Sequence, residues 1–175
     1  FERALDTTVR SSFLNQGQIC LCGSRIFVEK SIYAKFRDAL VAKTQKLKLG
    51  NPLHEDTDLG ALVSRPQMEK VLSYIELARK EGGIILCGGN NAKLSDVFSQ
   101  GYFVEPTLIE GLPATARVNQ EEIFGPVASL IPFETEEEVI AMANSTIYGL
   151  AASIWSQDEA KAYRVARKIK SGIVW

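Results

Sequence analysis

Residues 127–155 read VASLIPFETEEEVIAMANSTIYGLAASIW, and their pattern decides the fold. Val127–Phe133 is a mostly apolar run, which predicts a buried strand. Thr135 followed three residues later by Glu138 makes a capping box. The helix it opens carries Val139, Ile140 and Ala143. Tyr148-Gly149-Leu150 then turns the chain into another strand, 151–155. Asp158 caps a further helix carrying Ala162, Val165, Ala166 and Ile169, and residues 172–175 read as a final strand. Strand–helix alternation with short loops predicts an α/β fold, a mostly parallel twisted sheet with helices on both faces.

Working outward, the same alternation reaches the N-terminus. Leu5, Val9 and Phe13 recur at helical spacing until Asn15-Gln16-Gly17 breaks the pattern. Arg25–Glu29 is a short strand rich in Ile, Phe and Val. Ser31 is placed to cap a helix with Ile32, Phe36, Ala39 and Leu40 on one face, which Gly50-Asn51-Pro52 ends. Residues 51–58 form a polar loop. The next helix has the clearest signals: Ser64 as cap, Pro66 in the first turn, Met68, Val71, Leu72, Ile75 and Ala78 as the buried stripe, and Gly82-Gly83 as the stop. Ile84–Cys87 is an apolar strand and 90–100 a surface loop. Residues 102–109 are extended, with Pro106 arguing for an edge strand or an irregular course.

Composition narrows the class. The 175 residues suit one domain, and 46% hydrophobic with 23% charged residues excludes a disordered or fibrous chain. Twenty Lys and Arg against 21 Asp and Glu leave a formal charge of -1, with a pI near 6.0 and a mean hydropathy of -0.01. That balance gives no general attraction to nucleic acid or to an anionic membrane. No apolar run approaches the ~20 residues that a membrane span needs. The three cysteines, Cys20, Cys22 and Cys87, are too few for a disulfide framework and point to a cytoplasmic protein. The only histidine is His54, so no metal-ligand cluster forms. The first residue is Phe1 and the last four read as a strand cut short, which predicts one portion of a longer chain.

Two segments carry the chemistry. In residues 15–25, NQGQICLCGSR, Gly17 permits a tight turn, after which backbone N–H groups can converge on one point. A cysteine just beyond such a turn gains from those dipoles, which favour a thiolate and can hold an oxyanion. Cys20 is therefore a candidate nucleophile, although free cysteine is more often a small core hydrophobe. Cys22 and Cys87 keep that structural reading. In residues 121–127, EEIFGPV, a carboxylate can accept both hydroxyls of a ribose while a neighbouring ring covers a planar heterocycle. An ordinary acidic turn with Phe124 in the core explains the same residues. The acidic run at Glu134, Glu136, Glu137 and Glu138 suits a helix N-terminus, and His54 in its polar loop reads as a surface residue.

Taken in order, these segments resemble the aldehyde dehydrogenase superfamily along the whole chain. Residues 15–25 resemble its N-Q-G-Q-x-C…S-R nucleophile segment. Gly101-Tyr102-Phe103 with Pro106-Thr107-Leu108 resembles G-Y-F-x-x-P-T-L, and residues 121–127 match E-E-I-F-G-P-V throughout. Tyr148-Gly149-Leu150-Ala151 and residues 171–175 fit later segments of the family. The resemblance implies that residues 1–175 form the thiol-bearing catalytic domain, with the nucleotide-binding domain absent. It implies Cys20 as the nucleophile that forms a thiohemiacetal, hydride transfer to NAD or NADP, and a thioester that water hydrolyses to the acid. By the same carry-over Glu122 binds the nicotinamide ribose with Phe124 beside it, Gln67 and Lys70 reach the cofactor ribose, and the full-length protein is a homo-oligomer.

Departures from the family limit what this chain does alone. The family's general base lies in an E-L-G-G segment ahead of the nucleophile, and no such segment occurs here. The oxyanion amide side chain is likewise missing, so the isolated chain is expected to be inactive. Cys22 stands where the family usually has a small residue, and a second thiol there could protect Cys20 by oxidation. Ile19-Cys20-Leu21-Cys22 resembles the branch acting on muconic semialdehydes. Two other classes stay open: a hydrolase or acyltransferase pairing Cys20 with His54, and a catalytically silent structural homologue.

Overall fold

The computed structural model describes residues 1–175, with the side chain of Asp96 outside that description. At the centre is a four-stranded sheet of β1 (Arg25–Glu29), β2 (Ile84–Cys87), β3 (Thr107–Glu110) and β4 (Val127–Phe133), in the order β1-β4-β3-β2. β4 runs parallel to both β1 and β3, and β2 is antiparallel to β3. Residues Val127 to Ile131 are all buried, as a strand covered on both sides requires.

Period-two alternation divides the strand residues between two cores. Ala128 and Leu130 of β4, with Leu108 and Val28, meet Leu5 and Phe13 of α1 (Glu2–Phe13) and Phe36 and Leu40 of α2 (Tyr33–Thr44). Val127 and Ile109 face the other way, onto Val71, Ile75 and Ala78 of α3 (Arg65–Lys80). The mostly parallel sheet with helices on both faces is thus present. α3 begins as its sequence predicts: Ser64 accepts a hydrogen bond from the Gln67 N–H at 3.3 Å.

Several elements depart from expectation. Ser31 does not cap α2; its hydroxyl donates to the Glu29 carboxylate, and a 3-10 turn, Lys30–Ile32, precedes the helix. Ile32 therefore falls at the cap, exposed, rather than on the buried stripe. α2 also ends at Thr44, before Gly50-Asn51-Pro52, because Leu49 bridges to Leu59 and the Lys48 N–H donates to Asp58. Pro106 does not mark an edge. Lacking an N–H, it stays outside the ladder, and pairing starts at Thr107, inside the sheet between β4 and β2. Residues 102–106 take the irregular course instead.

After β4 come α5 (Glu136–Ala143), β5 (Ala151–Ala152), α6 (Glu159–Ala166) and β6 (Ile173–Val174). Thr135 accepts from the Glu138 N–H, while the Glu138 carboxylate takes the N–H of Glu134, one residue ahead of the usual capping-box partner. β5 is shorter than 151–155, although the Ile154 N–H still reaches the Trp175 carbonyl at 2.8 Å. β5 and β6 form a separate parallel pair. Arg164 grips Glu136 with two bonds, which ties α6 to α5. Arg25 donates to the carbonyls of Met142 and Ala143 and so closes the C-terminus of α5 against the start of β1.

Candidate active site

Cys20 is placed by three consecutive residues in the left-handed region. α1 ends at Phe13, and Asn15, Gln16 and Gly17 follow with φ of 51°, 57° and 68°. Asn visits this region with little penalty and Gly with none. Gly17 has a second reason to be glycine: a Cβ there would lie 2.1 Å from the carbonyl oxygen of Gly125. The loop bearing the thiol thus packs backbone to backbone against the 121–127 loop. Gly125 is equally confined, since its own Cβ would meet Val71 of α3 at 2.4 Å.

Beyond this bend, the Cys22 N–H donates to the Ile19 carbonyl at 3.0 Å, and Cys20 lies exposed within the turn. Among the described residues, the N–H groups of Ile19, Cys20 and Leu21 have no acceptor. The nearest helix end in the chain is the carbonyl end of α1, so the free donors come from the turn itself rather than from a helix dipole. Such unpaired N–H groups suit a developing oxyanion. Gln18 anchors the turn by accepting from the Val63 N–H at 3.1 Å. Cys22 is half-buried, with burial pushing its thiol up and its sulfur near the Leu14 carbonyl. Cys87 is buried in the sheet and pushed up for the same reason.

The 121–127 loop leaves the one-turn helix α4 (Arg117–Gln120). Glu122 is exposed and, among the described residues, has no hydrogen-bond or ion-pair partner. Ile123 is buried beside α3, whereas Phe124 is half-buried with φ of 58°, a strained value for a bulky residue. Gln67 holds that conformation by donating to the carbonyls of Ile123 at 3.0 Å and Phe124 at 2.7 Å.

Sequence reasoning missed the group beside them. Glu121 accepts from Arg117 through both oxygens, at 2.7 and 3.0 Å, and from the Tyr74 hydroxyl at 2.6 Å. Arg117 first, then Tyr74, with Lys70 adding a smaller pull, holds the Glu121 carboxyl down to about 2. Lys70 lies with its ammonium 6.0 Å from the Tyr74 ring. Gln67, Lys70 and Tyr74 stand at i, i+3 and i+7 on α3, and Arg117 and Glu121 at i and i+4; those spacings were the available signals.

Because the folded value of Glu121 is depressed, its contribution to stability is complete above its ordinary value of 4.5 and is lost as pH falls towards about 2. Because the pair is solvent-exposed, melting temperatures of parent and Glu121→Gln should differ only slightly, by a constant amount from pH 7 down to near 5, and converge below that. A gap that widens in acid contradicts the assignment.

His54 is exposed in the loop after Asn51, and no hydrogen bond joins it to Cys20 among the described residues. Among the described residues no three of His, Cys, Asp or Glu are grouped to hold a metal ion, and no helix is long and apolar enough to cross a membrane.

The sequence profile described as the Aldehyde dehydrogenase family matches residues 1–175. This chain belongs to the aldehyde dehydrogenase family. It is 49% identical to 2-aminomuconic semialdehyde dehydrogenase of Mus musculus over 99% of the chain, and 47% identical to 2-aminomuconic 6-semialdehyde dehydrogenase of a Pseudomonas species over 100%. It spans about a third, 36%, of the length of each of these relatives. A crystal structure of betaine aldehyde dehydrogenase from Staphylococcus aureus in complex with NAD+ is 43% identical with a TM-score of 0.97, covering 100% of this chain and 34% of that one. As an aldehyde dehydrogenase segment, the chain places its loops at 15–22 and 121–127 in contact through Gly17 and Gly125.

Proposed function

We propose that the protein containing residues 1–175 is an NAD-dependent aldehyde dehydrogenase, that these residues form its thiol-bearing catalytic domain, and that Cys20 is the nucleophile. The observation that carries this reading is the exposed Cys20 in a turn with unpaired N–H groups, a turn packed through Gly17 against Gly125 of the 121–127 loop. The Cys20 thiolate adds to the aldehyde carbonyl, forming a carbon–sulfur bond and an oxyanion that the free N–H of Cys20 can receive. Collapse of the oxyanion expels hydride and leaves a thioester on Cys20; water then releases the carboxylic acid and restores the thiol.

Bound NAD+ supplies the hydride acceptor. The residues present suit it: the unpartnered Glu122 carboxylate can take both hydroxyls of a ribose, and the half-exposed Phe124 ring offers a flat apolar face. Lys70 supplies a cation near the same loop, while Gln67 acts on it through the carbonyls of Ile123 and Phe124. A muconic-type semialdehyde is the substrate class we favour, on the identity to dehydrogenases named for 2-aminomuconic semialdehyde. Three free thiols favour a cytoplasmic setting, and exposed Ile147, Tyr163 and Trp175 favour self-association of the whole protein.

The direct test follows NADH absorbance after adding a semialdehyde and NAD+. The intact protein should form NADH, and residues 1–175 alone should not. Thioester hydrolysis that needs no NAD+ would establish the hydrolase instead, and an intact protein inert to both would be the silent homologue.

A further inference from the structure

We infer that Glu121 is a positioning residue for cofactor binding: its carboxylate, fixed by Arg117 and Tyr74, aims the neighbouring Glu122. This rests on the ribose-binding role proposed for Glu122 above. The backbone at Glu121 is extended, with φ of -109° and ψ of 148°, so successive side chains point to opposite sides. Glu121 turns towards α3 and α4, where three donors hold it, and Glu122 is left in solvent without a partner. On the other side of Glu122, Ile123 is buried and Phe124 is pinned by Gln67. Glu122 thus sits between two fixed points.

Stability alone does not account for this clamp. Arg117 and Glu121 are 62% and 38% exposed, and ion pairs of that exposure add little to folding. Holding the backbone of one residue fixes the starting direction of the next, which lowers the ordering cost when Glu122 engages two hydroxyls at once.

The experiment is NAD+ titration of the intact enzyme as parent, Glu121→Gln, Glu122→Gln and the double variant. Tyr74→Phe serves as a milder cut of the same clamp. Glu121→Gln should raise KM for NAD+ by about fivefold to tenfold, and Tyr74→Phe by about twofold to threefold, with KM for the aldehyde within about twofold and the melting temperature nearly unchanged. Added to Glu122→Gln, it should change KM for NAD+ by less than about twofold, because nothing remains to be aimed. An equal factor in both backgrounds, no effect in the parent, or a fall in melting temperature with both KM values rising together would overturn the inference. Should Glu121→Gln not fold, Tyr74→Phe is read by the same criteria. Unchanged NAD+ kinetics in Glu122→Gln would remove the ribose-binding reading itself; an impaired Glu122→Gln beside a normal Glu121→Gln would remove only the positioning role.

Discussion

Cys20→Ser in the intact protein is expected to lower kcat for aldehyde oxidation by about a thousandfold or more, while NAD+ still binds. A serine hydroxyl has the same reach but is almost wholly protonated near neutral pH and is a far weaker nucleophile than a thiolate. Cys22→Ser is the matched control. Its half-buried thiol, raised by burial, packs near the Leu14 carbonyl, so losing it should change turnover only a few-fold. The reverse pattern, with Cys22→Ser inactive and Cys20→Ser active, would move the chemistry to the wrong sulfur.

Gly17→Ala should have the largest structural effect of any single methyl. A side chain at φ of 68° is strained, and the added Cβ would sit 2.1 Å from a backbone oxygen that β4 and Val71 hold in place. The two effects together should cost roughly 3 to 5 kcal/mol, seen as a fall of roughly 10 °C in melting temperature and a loss of turnover. Gly82→Ala separates strain from contact. Gly82 has φ of 91° but nothing within 4 Å of the added carbon, so that variant should cost only about 1 kcal/mol and keep its activity. If the two substitutions behave alike, the packing of the 15–22 loop on Gly125 does not govern the site.

How much of this was legible in the chain depended on how local each cause was. Ser64, Pro66 and the stripe from Met68 to Ala78 marked α3 because cap, first turn and buried face all lie within one element. The run at 127–133 announced a central strand because burial on both faces leaves no polar alternation. Ser31 misled because its hydroxyl found a carboxylate two residues back, which no capping rule anticipates. Pro106 pointed to an edge strand or an irregular course, and the irregular course is the one taken: its missing N–H excludes it from the ladder but does not decide where the strand beginning at Thr107 sits.

The site shows the same division. The turns made Cys20, Glu122 and Phe124 candidates only, since a core cysteine and an ordinary acidic turn explained the same residues; their proposed roles came from the family resemblance. The meeting of Gly17 with Gly125 has no local signature; it exists only because β1 and β4 pair in parallel and bring their preceding loops together. Gln67 illustrates a subtler gap. It was expected to reach the cofactor ribose; its two bonds to the carbonyls of a strained turn depend on the φ of Phe124, which sequence does not report. Tyr74 likewise reads as one more residue on a helix until Glu121 is seen against it.

Acid-quenched mass spectrometry of the intact protein, taken during turnover with a semialdehyde and NAD+, tests the central assignment most directly. Fragmentation of the peptide that carries both Cys20 and Cys22 should locate an acyl group on Cys20, with the peptide heavier by the substrate mass less two hydrogens, one lost as hydride and one as the thiol proton. Turnover that continues with that sulfur unmodified, or an acyl group found on Cys22, would contradict it.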